Sequence, residues 1–295
     1  MAPRLGLEPR TLKLTASCSA IELSGIVYLL KTDAILSTNQ TKYQQEKVEA
    51  NRLHFYQSQF LLSLHHMSQI TCLIPFYNEE NRILQTLEVI TKIDSFFEII
   101  CVDDGSDDKN YKIIQNKYSK IRLIKLKKNQ GKSSAILAGL KQIKTEWVFL
   151  LDADLKNLKK TEIETAISSV KKSTQPLDML ILRRSNYSNF VRVIRHDILM
   201  SGERILKTKD ALAVFKKTPH GYQLEIAINQ YMADHNKKCF WQQTSLANSY
   251  KITKWNPEQA FKKYADEIPG YFKYAGSLKY LKQLTSFCWE EFKQP

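Results

Sequence analysis

The chain has 295 residues, 43% hydrophobic and 25% charged, a balance that excludes wholesale disorder. Only nine glycines are present, which excludes a fibrous or Gly-linker protein and makes any Gly inside a motif informative. With 44 Lys and Arg against 30 Asp and Glu, the net charge of +14 suits nucleic acid, an anionic membrane face or phosphorylated small molecules, and does not choose among them.

Residues 1–66 carry scattered apolar residues, a Gln/Asn-rich stretch from Asn39 to Gln59 and no clean strand or helix period. The stretch from Gly6 to Leu23 reads as translated flanking sequence. The expectation is therefore a functional start at Met67, with residues 1–66 a spurious or poorly structured extension, the alternative being an N-terminal arm. The longest early apolar run, Ser24 to Leu30, falls well short of the roughly 20 residues a membrane span needs and is a poor signal-peptide core. Five widely spaced cysteines form no C-x-x-C pair, and Cys72 and Cys101 sit inside apolar runs, which reads as reduced structural thiols in a cytoplasmic protein.

From residue 69 the pattern is regular. Ile70–Pro75 is an apolar run read as a buried strand, and Glu80–Ile93 carries Ile83, Leu87 and Ile90 at helical spacing. Strands follow at Phe96–Val102, Ile121–Leu126, Trp147–Leu151 and Asp178–Leu182. Helices at Asp107–Tyr118, Ser133–Ile143 and Thr161–Lys172 alternate with them. Apolar strands alternating with amphipathic helices predict an α/β class with a Rossmann-like, mostly parallel sheet flanked by helices. The expected division is 67–255 as the main domain (67–160, then 161–255) and 256–295 as a helical tail rich in aromatics and Lys. Such a tail suits a lipid–water interface or helices packed back onto the domain, and both readings stand.

Polar turns gather where three of these strands end: Pro75-Phe76-Tyr77-Asn78-Glu79-Glu80, Asp103-Asp104-Gly105-Ser106 and Asp152-Ala153-Asp154. In a parallel sheet they emerge on one edge, where open α/β sheets bind ligands. An Asp-Gly-Ser turn is by itself often a helix N-cap. Two carboxylates two residues apart repel each other unless hydrated or bridged, and hard oxygen ligands suit Mg²⁺ or Mn²⁺ engaged with a substrate diphosphate. Asn129-Gln130-Gly131-Lys132 opens a helix with Gly and Lys, a place for a phosphate or base contact.

In this order and spacing the motifs resemble the GT-A-fold glycosyltransferases of family 2, the group that includes dolichyl-phosphate mannosyltransferase-like enzymes. Val102-Asp103-Asp104-Gly105-Ser106, Asn129-x-Gly131-Lys132, Ala138-Gly139-Leu140 and Leu151-Asp152-Ala153-Asp154 carry the likeness together with the first turn. It is strong over 69–155, weaker to about 255 and absent from 1–66. The resemblance implies that Pro75, Tyr77 and Glu79 line a nucleotide pocket, that Asp104 with Asp103 holds the base or ribose, and that Lys132 lies against the nucleotide. It implies further that Asp152 and Asp154 bind the donor diphosphate through a divalent metal. Ser201-Gly202-Glu203-Arg204 and Gly221-Tyr222-Gln223-Leu224-Glu225 look like the family's acceptor-side segments.

Glu225 is a general base or the cap of a helix N-terminus, and Arg204 pairs an acceptor phosphate or a neighbouring Glu; both choices stay open. The tandem Glu-Asp signature of many hydroxyl-directed members is absent, and an acceptor that is already an anion, such as polyprenyl phosphate, needs no base. Lys251 is placed to neutralise the leaving diphosphate. His196, His220 and His235 are isolated and read as surface or structural residues.

The implied activity is an inverting transfer from a UDP- or GDP-sugar, with Mg²⁺ or Mn²⁺, to polyprenyl phosphate, a glycan or a small hydroxyl compound. The expected setting is cytoplasmic with peripheral membrane contact. A nucleic-acid-binding protein would gather its lysines and aromatics in one stripe, whereas here they spread, so no nucleic acid partner is expected. A sugar nucleotidyltransferase would carry a Gly-rich loop where this chain has Tyr77-Asn78-Glu79-Glu80.

Overall fold

The computed structural model describes residues 69–185, 189–217, 223–248 and 269–293, together with Asn51, Arg52, His54 and Phe55. The chain divides into two compact units, Met1–Leu62 and Ser63–Pro295, and the second holds every strand described below. The expectations for residues 1–66 lie almost wholly outside the described residues. So do those for Gly221, Tyr222, Lys251, His220 and the first tail aromatics.

Strands β1 (Ile70–Phe76), β2 (Glu98–Asp103), β3 (Ile121–Lys125) and β4 (Trp147–Leu150) are joined by α1 (Asn81–Ile90), α2 (Asn110–Lys117) and α3 (Lys132–Leu140). A two-residue strand β5 (Leu155–Lys156) and α4 (Lys160–Lys171) lead to β6 (Met179–Arg183). Short helices α5 (Asn189–Val193) and α6 (His196–Leu199) precede β7 (Arg204–Lys207), α7 (Thr208–Val214) and α8 (Gln223–Asp234). Strands β8 (Cys239–Gln243) and β9 (Ala247–Asn248) and helix α9 (Ser277–Ser286) complete the order.

Seven of the strands form one sheet in the order β3-β2-β1-β4-β7-β6-β8, and β5 pairs with β9. β1, β2, β3 and β4 are mutually parallel. β7 runs antiparallel to both β4 and β6, while β8 is parallel to β6, so β7 alone is reversed in that sheet. The mostly parallel sheet is as the sequence implies. The reversed strand is a finding the apolar periodicity gives no sign of.

Every residue of β1 is buried, because helices cover both faces. Ile70, Cys72, Ile74 and Phe76 face a core shared with Ile83 and Leu87 of α1 and Ile163 and Ile167 of α4. Leu73, Ile100 and Val102 face the opposite core, with Ile136 of α3, Val214 of α7 and Ile228 of α8. Cys72, Cys101, Cys239 and Cys288 are free thiols. Burial pushes the Cys288 thiol up to about 12, so it stays protonated and inert.

The tail is docked by charge and rings. Arg195, in left-handed backbone at φ 56°, donates to the carbonyls of Phe287 (2.8 Å) and Cys288 (2.6 Å) just beyond α9 and stacks 4.2 Å over the Trp289 ring. His196 Nε2 and the Tyr280 hydroxyl are 2.7 Å apart, a structural use of that histidine, whereas His235 lies at the surface. Among the described residues no helix is long and apolar enough to cross a membrane.

Candidate active site

The chain runs β1 to β2 to β3 on one side, then returns to place β4 on the other side of β1. The carboxyl ends of β1 and β4 therefore frame the switch point at which open α/β sheets take ligands. The Tyr77–Glu80 turn leaves β1 there, and Asp152-Ala153-Asp154 leaves β4.

The turn after β2 braces this edge. Asp103 is fully buried; its Oδ1 accepts from the Ser106 amide at 2.8 Å, and its Oδ2 lies 3.4 Å from Lys125 Nζ. Asp104 reaches across instead, its two oxygens accepting from the amides of Gln130 (2.9 Å) and Gly131 (2.7 Å). Gly105 has φ +75°, and a Cβ there would sit 2.6 Å from the Lys128 carbonyl carbon, so only Gly fits. Ser106 Oγ accepts from the Asn78 amide at 3.0 Å and Asn78 Oδ1 from the Asp107 amide at 3.0 Å, stitching the first turn to the second. Both aspartates thus engage backbone, and Asp104 fixes the start of α3, hence Lys132.

Lys132 Nζ lies 2.7 Å from Asp152 Oδ1 and 3.1 Å from Glu225 Oε1. The second oxygen of Asp152 accepts from Arg184 Nη2 at 2.9 Å. Burial alone would raise the Asp152 pKa, but the Lys132 ammonium and the Arg184 guanidinium outweigh it and hold the carboxyl well below the usual range. Lys132 shows the mirror image: burial opposes its charge, while Asp152 and Glu225 hold the proton and move its pKa up.

Glu225 sits in the first turn of α8, a position that favours a carboxylate, and its Oε2 is buried without a hydrogen-bond partner. Pro75, Lys132, Asp152, Gly202, Arg204 and Glu225 line one pocket with an apolar floor. A Cβ on Gly202 would lie 2.8 Å from both Asp152 oxygens, so any side chain there forces the carboxylate to shift.

Asp154 is half-buried. Burial and the nearby charge of Asp154 push the Glu79 carboxyl up, against the pull of Arg82, which donates to Glu79 Oε2 at 2.9 Å. Among the described residues no group of three His, Cys, Asp or Glu side chains is gathered to hold a metal alone. An acidic pair short of a full ligand set fits a hard cation that takes its other oxygens from substrate phosphates and water.

The structure thus brings Pro75, Glu79, Lys132, Asp152, Asp154 and Glu225 to one edge, with Tyr77 exposed beside them. Arg204 is fully buried, donating to the Ser201 carbonyl (3.0 Å from Nε) and to Asn229 Oδ1 (3.0 Å). Its guanidinium is committed to the fold. Arg184 is not singled out by the sequence; the only signal is a charged residue just past an apolar strand on the ligand-binding edge.

The family model described as glycosyl transferase family 2 matches residues 71–236. Undecaprenyl-phosphate 4-deoxy-4-formamido-L-arabinose transferase of Photorhabdus laumondii is 33% identical over 133 residues, covering 42% of this chain and 40% of the relative. The enzyme of that name from Edwardsiella ictaluri is 38% identical over 96 residues, 30% of each chain. The chain thus spans less than half the length of these curated relatives. The crystal structure of glucosyl-3-phosphoglycerate synthase from Mycobacterium tuberculosis with Mn²⁺ and UDP-glucose superposes with a TM-score of 0.55 at 15% identity, covering 70% of this chain and 79% of that one. At that identity the likeness shows a shared fold, the GT-A architecture.

Proposed function

The chain belongs to glycosyl transferase family 2, and on that premise we propose that it is a hexosyltransferase moving a sugar from a UDP- or GDP-sugar, with inversion, to an anionic acceptor such as polyprenyl phosphate. The observation that carries the reading is the Lys132–Asp152–Glu225 cluster at the switch point, on the edge where the Asp152-Ala153-Asp154 turn leaves β4. The curated relatives are named for undecaprenyl phosphate, which supports that acceptor class over a glycan or a small hydroxyl compound.

Lys132 stands at the start of α3, where the helix dipole adds to its charge, and this is where a donor diphosphate is to be received. Asp154, with Glu79 beside it, would hold Mg²⁺ or Mn²⁺, which when bound neutralises the charge gathering on the leaving diphosphate. Asp152 is tied to two cations and acts through its position rather than as the principal metal ligand. Glu225 keeps Lys132 in place through Oε1, and an anionic acceptor attacks without a base. The setting we propose is cytoplasmic, with the enzyme touching the membrane face that carries the acceptor.

The test is a donor screen with purified protein, Mn²⁺ or Mg²⁺ and a panel of nucleotide sugars, reading release of nucleoside diphosphate. Asp154→Ala is expected to cut turnover at least about 100-fold at unchanged thermal stability. Full turnover in a chelator, or in this variant, would refute the metal role.

A further inference from the structure

Two charged residues beside this cluster have no part in receiving the donor directly. Arg183 ends β6 and Arg184 follows it, and extended-chain alternation sends the two side chains apart. Arg183 Nε donates to Asp197 Oδ2 at 2.5 Å, and its guanidinium lies 5.0 Å from the centre of the Trp241 ring. Arg184 turns to the ligand edge, only 3% exposed, and donates from Nε to Glu203 Oε2 (2.6 Å) and from Nη2 to Glu203 Oε1 (2.5 Å), a two-pronged bond. The same Nη2 reaches Asp152 Oδ2 at 2.9 Å. Glu203 is 0% exposed and lies 3.0 Å from the Ser201 hydroxyl, which donates to the Leu182 carbonyl at 2.7 Å.

β7 makes this possible. Because it runs backwards between β4 and β6, its first residue Arg204 pairs with both Leu150 and Ile181. The preceding Glu203 is thus delivered to the edge where β4 and β6 end. Neither Arg184 nor Glu203 is exposed enough to meet a substrate. Together they reach it only through Asp152.

We propose that Arg184 and Glu203 are a positioning pair: Glu203 locks the guanidinium fork, and the fork fixes the Asp152 carboxylate against Lys132 in the orientation that receives the donor. This rests on the reading of the site as a nucleotide-sugar site. A buried ion pair is no guarantee of stability, since apolar residues of similar volume often replace both partners at little cost to the fold, whereas removing one partner strands a buried charge. The pair is kept here for the geometry it imposes, the use that outer partners of site ligands commonly have.

The test compares wild type with the double variant Arg184→Met/Glu203→Leu and with Arg184→Lys, which keeps the charge but loses the planar fork. Titration calorimetry with UDP and with GDP in the presence of Mn²⁺ reads donor-side binding, thermal unfolding reads the fold, and the donor KM is measured where turnover allows. Expected is a double variant that melts like wild type yet binds the preferred nucleotide about 10–100-fold more weakly. Arg184→Lys should recover a part of the loss, and the kinetic defect should appear in the donor KM. A double variant that folds and binds like wild type overturns the positioning role while leaving the proposed function standing. A double variant that does not fold shows the pair to be structural and also overturns it, unless Arg184→Lys folds and shows the binding loss. Wild type that binds neither nucleotide overturns both readings together.

Discussion

Gly202 shows most plainly how the site is built at the level of single residues. Its Cα hydrogens occupy the space beside Asp152, and the carboxylate can draw back only by giving up its contacts with Lys132 and Arg184, which hold it from two other directions. Gly202→Ala should therefore push Asp152 out of line without disturbing either core. The expected outcome is a donor KM raised about 10–100-fold, the cost of a displacement of order 1 Å at a reacting site, with the melting temperature little changed. A variant with wild-type donor KM would mean that Asp152 has slack the structure does not suggest. Arg204, on the same segment, makes the contrast: its donors end on the Ser201 and Leu199 carbonyls and on Asn229, so it shapes the β7 entry from inside.

Among elements, the turn after β2 and the start of α3 act as one part, joined by the two Asp104 hydrogen bonds to the amides of Gln130 and Gly131. Asp104→Ala orphans both amides and loosens the lead-in to Lys132. It should cost about 1.5–3 kcal/mol, the range for hydrogen bonds to a charged group, and weaken nucleotide binding as well. Thermal unfolding with and without UDP and GDP separates the two effects; loss of stability with intact binding would show that α3 holds Lys132 unaided. The first four strands and the helices between them are legible in the sequence because each strand is an apolar run between turn signals and each helix shows its own period, as in Ile83, Leu87 and Ile90 of α1. The acidic turns are legible as neighbours of a ligand because parallel strands put their ends on one edge. β7 is not, since four residues headed by a buried arginine carry no strand signal, and the carbonyls that satisfy Arg204 are a tertiary fact. Arg184 is hidden for the same reason: its partner Glu203 is 19 residues away and arrives only through the reversal of β7. Spacing alone also cannot show the two cations on Asp152, because they come from α3 and from just past β6.

At the scale of the whole molecule, the question is how a chain with no described membrane-spanning helix would reach an acceptor with a polyprenyl chain. The tail aromatics divide by role. Tyr271, Tyr280, Phe287 and Phe292 are buried, which ties α9 to the domain, while Trp289 is 57% exposed. Leu278 and Leu281 on the outer face of α9 are 85% and 46% exposed. Lys279 and Lys282 flank them; Lys279 is shared with Asp234 at 3.1 Å, and Lys282 lies at the surface. Exposed leucines flanked by lysines are what an interfacial helix presents to anionic lipid, each apolar side chain adding its transfer energy and each cation about 1 kcal/mol near a charged surface. The overall charge of +14 acts in the same direction. Leu278→Glu with Leu281→Glu leaves the buried face of α9 untouched, so the double variant should fold normally. It should co-sediment with phosphatidylglycerol-containing vesicles at least about tenfold less than wild type, and wild-type binding should weaken in high salt. Equal sedimentation of the two proteins would move the membrane contact away from α9. Failure of wild type to bind such vesicles at low salt would remove it altogether and turn the acceptor search toward soluble anions.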